Sequence, residues 1–465
     1  MYTALLKNPE DMPPEIGLIV LTARNINRLS SLLATASTSV TSKLYIRVQD
    51  TCLDTILPKI YLDSSQQCPN LDVRVLLGEK IPQSATLIGD GEVGKISPPE
   101  PKYKKVVLGG TFDRLHNGHK VLLSKAAMLA SESITCGVTD KTMILKKSLF
   151  EMIEPVEKRI ADVVEFVEDV SDTVRVLAEP IPDMYGPSTR VQDLEAIVVS
   201  EETRKGGDAV NKKRQENGMS VLDVVVISLV EANDEVMKES KVSSSSRRRE
   251  ALGTLLRPPY DIPRAAGRPY MIGLTGGIAS GKSNIAKYLA TKPDFQVIDC
   301  DKLAHGCYEP GSRLNQEIAQ TFGEEVVKNG VVDRRKLGGI VFGNKDLLRQ
   351  LSELVWPHVY EKVESIVASS DKKFIVIEAA ALVEAGWRKN LPELWTVFVP
   401  EAETIRRVVE RDNVSEEQAQ ARMRSQITNK ERIDESNVVF CSLWAYEETR
   451  AQVDRAVEQL RKRVS

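Results

Sequence analysis

Twice in this chain an apolar run of strand character breaks into a glycine-rich turn and passes straight into a helical pattern: "KKVVLGGTFDRLHNGHKVLLSKAAMLA" at 104–130 and "YMIGLTGGIASGKSNIAKYLA" at 270–290. Strands that are apolar throughout must be buried on both faces, and a parallel sheet covered by helices is the arrangement that does so. Both segments continue the pattern. After the first come "SITCGVT", "TVRVLAE", "LEAIVVS" and "LDVVVIS", with Val156, Ile160, Val163, Val164 and Val167 at helical spacing behind Pro155. After the second come "FQVIDCD", "FIVIEAA" and "WTVFVP", separated by helical stretches such as "DLLRQLSELVWPHVYEKVESIVA". The expected fold class is therefore α/β, with two parallel-sheet domains in tandem and no internal repeat.

Two proline-rich stretches, "KISPPEPKYKK" (95–105) and "RPPYDIPRAAGRP" (257–269), resist continuous helix or sheet and read as seams. They divide the chain into residues 1–101, 102–260 and 268–465. The first segment carries short strands ("GLIVLT", "KLYIRV", "DVRVLLG") and a Ser/Thr/Ala-rich helical candidate. It has no motif, and its function is not legible. A chain of 465 residues is long enough for two or three separate cores.

The turn "GLTGGIASGKS" fits G-x-x-x-x-G-K-S at Gly276, Gly281, Lys282 and Ser283, with Gly277, Ile278, Ala279 and Ser280 between. Such a loop surrounds phosphates with backbone N–H groups. Lys282 neutralises them, Ser283 ligates Mg2+, and the helix N-terminus adds favourable potential. The next strand ends in Asp299 and Asp301, where carboxyl ends of parallel strands face a ligand crevice. One carboxylate there could orient or deprotonate an attacking hydroxyl while the other supports magnesium; D-x-D is equally a helix N-cap and its neighbour. Farther on, Arg406, Arg407, Arg411, Arg422 and Arg424 fall on two helices, the second opened by Ser415 with Gln418 as a capping box. Such arginines suit a hairpin closing over a polyphosphate, or a solvated basic face.

"GLTGGIASGKS", "VIDCDKLAH", "VVDRRKLGGIVF", "LVWPHV", "IEAAALVEAGW" and "VERDNVSEEQAQARMRSQ" resemble successive blocks of the dephospho-CoA kinase family across nearly all of 270–450. The resemblance implies phosphorylation of the ribose 3′-hydroxyl of dephospho-CoA by ATP with Mg2+. It makes Asp301 the base and puts Arg334, Arg335 and His358 near the acceptor. Asp299 falls to substrate or metal, and Arg411 to ATP. Where the family often has a Pro-Leu-Leu core, this chain has "EAAALVEAG".

His116 and His119 are two of only four histidines in the chain. Set at the start of a helix, with Gly118 allowing close backbone approach, their imidazoles can hold an α-phosphate and stabilise the charge that develops as pyrophosphate leaves. A second cationic element is needed for the β- and γ-phosphates. "KVSSSSRRRE" (241–250) offers Lys241, Ser243, Ser244, Ser245, Ser246 and Arg247. By itself it reads rather as a serine-rich linker with a solvated charge run, or a localisation patch, and its place at the domain's end, across the fold from the histidines, turns the reading to a phosphate site.

"GGTFDRLHNGH" with this serine motif resembles the nucleotidyltransferase superfamily, whose Rossmann-like fold is shared with class I aminoacyl-tRNA synthetases. "VVSEETRKGG" (198–207), "TDKTMILKK" (139–147) and the adjoining kinase narrow the likeness to the phosphopantetheine adenylyltransferases of eukaryotic bifunctional coenzyme A synthases, over 104 to about 255. The resemblance implies that Gly109, Gly110, Thr111 and Phe112 contact ATP, that Thr111 orients the substrate phosphate, and that Lys146 or Lys147 binds substrate. The substrates implied are ATP, 4′-phosphopantetheine and dephospho-CoA. The rival readings are a cytidylyltransferase joined to another small-molecule kinase, or a nucleotide-binding scaffold.

A net charge of −3 gives no basic footprint for a nucleic-acid partner. The six cysteines lie far apart without metal-ligand spacing, which suggests a reducing compartment and no structural metal. The N-terminus lacks secretory features, and no apolar run approaches the roughly 20 residues of a membrane span. The expectation is a cytoplasmic protein, with mitochondrial association left open.

Overall fold

The computed structural model describes residues 13–96, 100–227, 244–328, 330–341 and 344–464. It divides into two compact units, Met1–Arg248 and Arg249–Ser465.

The first unit opens with β1 (Ile16–Leu21), α1 (Leu29–Ser39), β2 (Lys43–Val48), α2 (Leu53–Gln67), β3 (Asp72–Leu76) and β4 (Thr86–Ile88). These strands form a four-stranded parallel sheet in the order β3-β2-β1-β4. The motif-free N-terminal segment is thus a small wound sheet of its own.

There follow β5 (Tyr103–Gly110), α3 (Asn117–Leu129), β6 (Ala130–Thr139), α4 (Val156–Val170), β7 (Arg175–Ile181), β8 (Ala196–Ser200), α5 (Arg204–Glu216), β9 (Asp223–Ile227) and α6 (Ser244–Glu250). Their sheet is parallel, in the order β7-β6-β5-β8-β9. Neighbouring strands connect in opposite directions from β5, and the crevice at such a switch point, above the carboxyl end of β5, is where ligands enter this architecture. His116 and His119 stand there.

The seam at 95–105 is not a division between cores. Ile19, Ile46, Leu57 and Val75 of the first sheet and its helix pack into one continuous apolar cluster with Val106, Val121, Val163 and Phe166 of the second. The two segments meet through helices: α3 packs on α2, and α4 lies against β3.

The second unit contains β10 (Tyr270–Gly276), α7 (Lys282–Ala290), β11 (Phe295–Asp299), α8 (Cys300–Cys307), α9 (Arg313–Phe322), a short antiparallel hairpin of β12 (Val327–Lys328) and β13 (Val331–Val332), α10 (Arg334–Val341) and α11 (Lys345–Ser369). It continues with β14 (Phe374–Glu378), β15 (Glu393–Phe398), α12 (Glu401–Asp412), α13 (Glu416–Arg424), α14 (Asn429–Asp434), β16 (Val438–Cys441) and α15 (Tyr446–Arg463). The parallel sheet runs β11-β14-β10-β15-β16. Strands β14 and β15 are buried at every residue, Glu378, Glu393 and Thr396 included. Apolar clusters fill both faces: Ile298, Ile375 and Leu394 lie on one, Leu274, Val376 and Phe440 on the other.

Residues 251–257, assigned from sequence to the middle segment, belong to this second unit. Gly253 donates to Val439 O at 2.9 Å and Leu256 to Asn437 O at 2.7 Å, extending the edge beside β16. Among the described residues no helix is long and apolar enough to cross a membrane.

Candidate functional sites

In the first unit the chain leaves β5 at Gly110, turns through Phe112 and Arg114 with left-handed φ of 48° at each, and enters α3 behind His116, its N-cap. One turn apart, His116 and His119 stack with ring centroids 3.8 Å apart. Burial, helped by the charges of Arg247, Lys120 and Arg248, lowers the His116 pKa to about 4. Burial, with His116 and Lys147 as neighbours, holds His119 well below its ordinary value. Both rings are therefore neutral near pH 7, each with one N–H to donate. Their Nδ1 atoms are buried without a hydrogen-bond partner, an arrangement suited to a ligand that brings acceptors.

Ser244, at the start of α6, places its Oγ 3.5 Å from His116 Nε2, so the serine motif and the histidines border one site. Arg248, read from sequence only as one of three arginines supporting pyrophosphate, locks them together. It is 1% exposed and donates to Asp113 of "GGTFD", itself 0% exposed, at 2.6 Å, and to Ser148 O at 2.9 Å. Asp113 also accepts from Glu154 N at 3.0 Å. A buried carboxylate and guanidinium need such full pairing. Ser245 Oγ accepts from Arg248 at 3.1 Å; Ser246 is exposed and Arg247 half-buried. Lys241 and Ser243 lie outside the described residues.

Of the remaining predicted contacts, Gly109 is exposed and Gly110 and Gly118 are half-buried around the turn. Thr111 accepts a hydrogen bond from the Thr139 hydroxyl at 3.1 Å, leaving its own proton to donate. Phe112, expected at the ATP site, is 0% exposed, and its ring packs on His119 with 5.3 Å between centroids. Its ring supports an imidazole. Lys146 and Lys147 are both exposed; Lys147 is the one whose charge interacts with His119, Arg248 and Asp113.

The neutral imidazoles fix a pH dependence. Where the folded pKa lies below the unfolded value, the unfolded chain binds more protons, so stability falls as pH drops. For His116 the window runs from the unfolded value near 6.5 down to about 4, with a loss on the order of 3 kcal/mol. Denaturant titrations at a series of pH values should show this decline, and His116→Gln should flatten it.

In the second unit, β10 ends at Gly276 and the loop to α7 passes Ala279 and Gly281 at φ of 56° and 87°. A Cβ at Gly276 would lie 2.5 Å from Val397 O, and one at Gly281 2.8 Å from Ser442 Oγ, so side chains are excluded where the loop closes. Gly277, Ile278, Ala279, Ser280, Lys282 and Ser283 line a cavity of about 790 Å³ with Arg407, Glu410, Arg411 and Gln426. Ser280 Oγ is buried in it without a partner.

Glu378, 5% exposed at the end of β14, accepts from Lys282 Nζ and Ser283 Oγ, both at 2.8 Å. The sequence signal was an acidic residue closing "FIVIE", but only the strand order shows it beside Leu274 of β10 and opposite Asp299 of β11. Gln426 accepts from Ile278 N at 2.9 Å, so a side-chain oxygen already sits where a phosphate oxygen could.

Asp299 is the N-cap of α8, accepting from Lys302 N at 3.0 Å. Burial would raise its pKa, but the Lys302 contacts and the Lys282 charge hold it below the usual range. Asp301 is exposed in the first turn of that helix. The helix-cap reading of D-x-D is met at Asp299.

The arginines divide. Arg407 donates to Ala279 O at 3.3 Å and Ser442 O at 2.6 Å and clamps the loop. Arg411 lines the cavity while pairing with Asp412, which also binds Arg422 at 2.6 Å. Arg406 pairs along its own helix with Glu403 and Glu410, and Arg424 is exposed. The capping box of Ser415 and Gln418 is present. His358 pairs with Glu317 at 3.1 Å and lines a second cavity of about 440 Å³ with Lys362; exposed Arg335 does not line it. Arg334 opens α10, and its side chain is outside what is described.

The chain matches the family described as "Dephospho-CoA kinase" over residues 270–442 and the family described as "Cytidylyltransferase-like" over 107–251. It is 36% identical over 187 residues to a protein of Carboxydothermus hydrogenoformans named dephospho-CoA kinase, covering 39% of this chain and 90% of that one. A Fusobacterium nucleatum protein of the same name is 37% identical, over 41% of this chain and 98% of its own length. A Pyrococcus furiosus protein named phosphopantetheine adenylyltransferase is 49% identical over 129 residues, 28% of this chain and 79% of that one.

Proposed function

Because the chain belongs to the phosphopantetheine adenylyltransferases in its middle part and to the dephospho-CoA kinases in its last, we infer that it carries out two consecutive reactions on one metabolite. The first joins 4′-phosphopantetheine to the adenylyl group of ATP and releases pyrophosphate. The second phosphorylates the ribose 3′-hydroxyl of the dephospho-CoA so formed, giving coenzyme A. The reading rests above all on one contrast: stacked neutral imidazoles occupy one crevice, and a glycine loop with lysine and carboxylates the other.

The sites differ as their nucleophiles do. A phosphate is already anionic, so its attack on the α-phosphorus needs placement and charge stabilisation and no protein base. His116 and His119 donate N–H bonds to the α-phosphate, Lys147 receives the incoming phosphate, and the serines of α6 with Arg247 receive pyrophosphate. A ribose hydroxyl must lose its proton, and Asp301, in the first turn of α8, accepts it. Lys282 leaves Glu378 for the phosphates, and Arg407 and Arg411 border the transferring group.

Magnesium fits the oxygen donors present. Ser283, Asp299 and Glu378 converge from neighbouring elements, and a hard cation held by one or two carboxylates plus phosphates needs no fuller cage. When bound, the ion neutralises charge on the transferring phosphates. The free cysteines, five of six buried, suit a cytoplasmic setting.

Incubation with 4′-phosphopantetheine, ATP and Mg2+ should yield pyrophosphate, then ADP and coenzyme A, by mass analysis. Replacing ATP with CTP should abolish the first product; dependence on CTP would overturn the assignment.

A further inference from the structure

Helix α3 presents two faces to two different neighbours. His116 and His119 stand three residues apart on the face toward the transferase crevice. Asn117 and Lys120, each one residue later, lie about 100° round the helix on the face turned to the N-terminal sheet. Asn117 Nδ2 is aimed at three acceptors of α2: Tyr61 O at 2.8 Å, Ser65 Oγ at 2.8 Å and Ser64 Oγ at 3.1 Å. Lys120, 5% exposed, donates to the Asp72 carboxylate and, at 2.9 Å, to Val73 O, both on β3. Asp72 is held in turn by Arg74 at 2.9 Å.

We propose that residues 13–96 are a positioning element of the adenylyl-transfer site, fixing the rotation of the histidine helix through Asn117 and Lys120. These anchors fall on the first and second turns of α3, at the same heights as the two imidazoles. Turning the helix by a few degrees about its axis would break bonds to α2 and β3 before it moved the rings from the crevice. The wound sheet at the head of the chain thereby acquires a task that its lack of any motif concealed.

Lys120 has a second effect. The cations facing His116 are Arg247 and Arg248 from α6 and Lys120 from its own helix, with the neutral His119 ring stacked beside it. Removing one of these cations makes His116 easier to protonate.

The proposal rests on adenylyl transfer occurring at this crevice, so the wild-type full chain is assayed alongside Asn117→Ala, Lys120→Met and Lys120→Arg. Pyrophosphate release is followed from about pH 3.5 to 8, which spans the folded His116 pKa of about 4, phosphorylation of supplied dephospho-CoA in the same preparations, and folded fraction by thermal unfolding. Asn117→Ala and Lys120→Met should lower transferase kcat about tenfold to a hundredfold per folded molecule, with KM for ATP little changed. The acid limb of the pH profile should move upward in Lys120→Met and be restored in Lys120→Arg; phosphorylation of dephospho-CoA should be unchanged. Wild-type kcat and pH profile in both variants would overturn the proposal. So would activity lost only in proportion to unfolded protein, which would make the contacts merely structural. A wild-type chain releasing no pyrophosphate would defeat instead the function on which the proposal rests.

Discussion

His119→Ala should lower pyrophosphate release about 10²- to 10³-fold, the usual effect of removing one preorganised donor from a site of developing charge. The loss should fall on kcat more than on KM, because the N–H bond strengthens as the leaving pyrophosphate takes up charge. Phosphorylation of added dephospho-CoA should be unaffected, since the residues of the phosphate loop all belong to the other unit. The side chain is stacked on His116 and packed by Phe112, so truncation also leaves a small void. His119→Gln, which keeps a donor and most of the volume, should recover part of the rate. Loss of both activities in His119→Ala would refute two independent sites.

Lys282→Ala should have the opposite signature. Adenylylation proceeds, 3′-phosphorylation falls at least about 10²-fold, and dephospho-CoA accumulates, because the main cation facing the transferring phosphoryl group is gone. The structure adds a stability effect. Glu378 is buried and is bonded to Lys282 and Ser283. Without the lysine its carboxylate keeps one neutral partner, and breaking such a pair costs about 3 kcal/mol. Thermal unfolding should show the second unit weakened and the first unchanged. Lys282→Ala carried out with Glu378→Gln should regain stability without regaining kinase activity, which separates the folding role of the lysine from its catalytic one. Continued coenzyme A formation by Lys282→Ala would remove the loop from the mechanism.

Local patterns in the sequence carried much of this. The strand-to-helix turns at Gly109–His119 and Gly276–Ser283 were legible because glycine, histidine and lysine there answer to backbone geometry within a dozen residues. The Ser415–Gln418 capping box was legible for the same reason. What was missed depends on contacts distant in sequence. Glu378 is one acidic residue after an apolar run until the strand order places β14 between β10 and β11. Arg248 is one of three arginines in a row until α6 folds against Asp113, and helix geometry then buries it while leaving Arg249 exposed. Lys146 and Lys147 differ only in the side of a turn on which they emerge. The packing of the Phe112 ring on His119 was not legible, because it depends on how the turn folds back onto the helix.

The seams show the same limit from another side. Proline-rich composition reports where the backbone can be neither helix nor sheet, and it says nothing about which surfaces the flanking segments share. At 95–105 the chain changes sheets without changing cores; severing it there would bare Leu57, Ile60 and Val121 to water together. The place where the polypeptide does divide is internal to a helix, between Arg248, which reaches back to Asp113, and Arg249, which pairs with Glu448. One short run of basic residues thus serves two masters, so inserting or deleting a single residue in it would turn both guanidinium groups from their partners and disturb two enzymes at once.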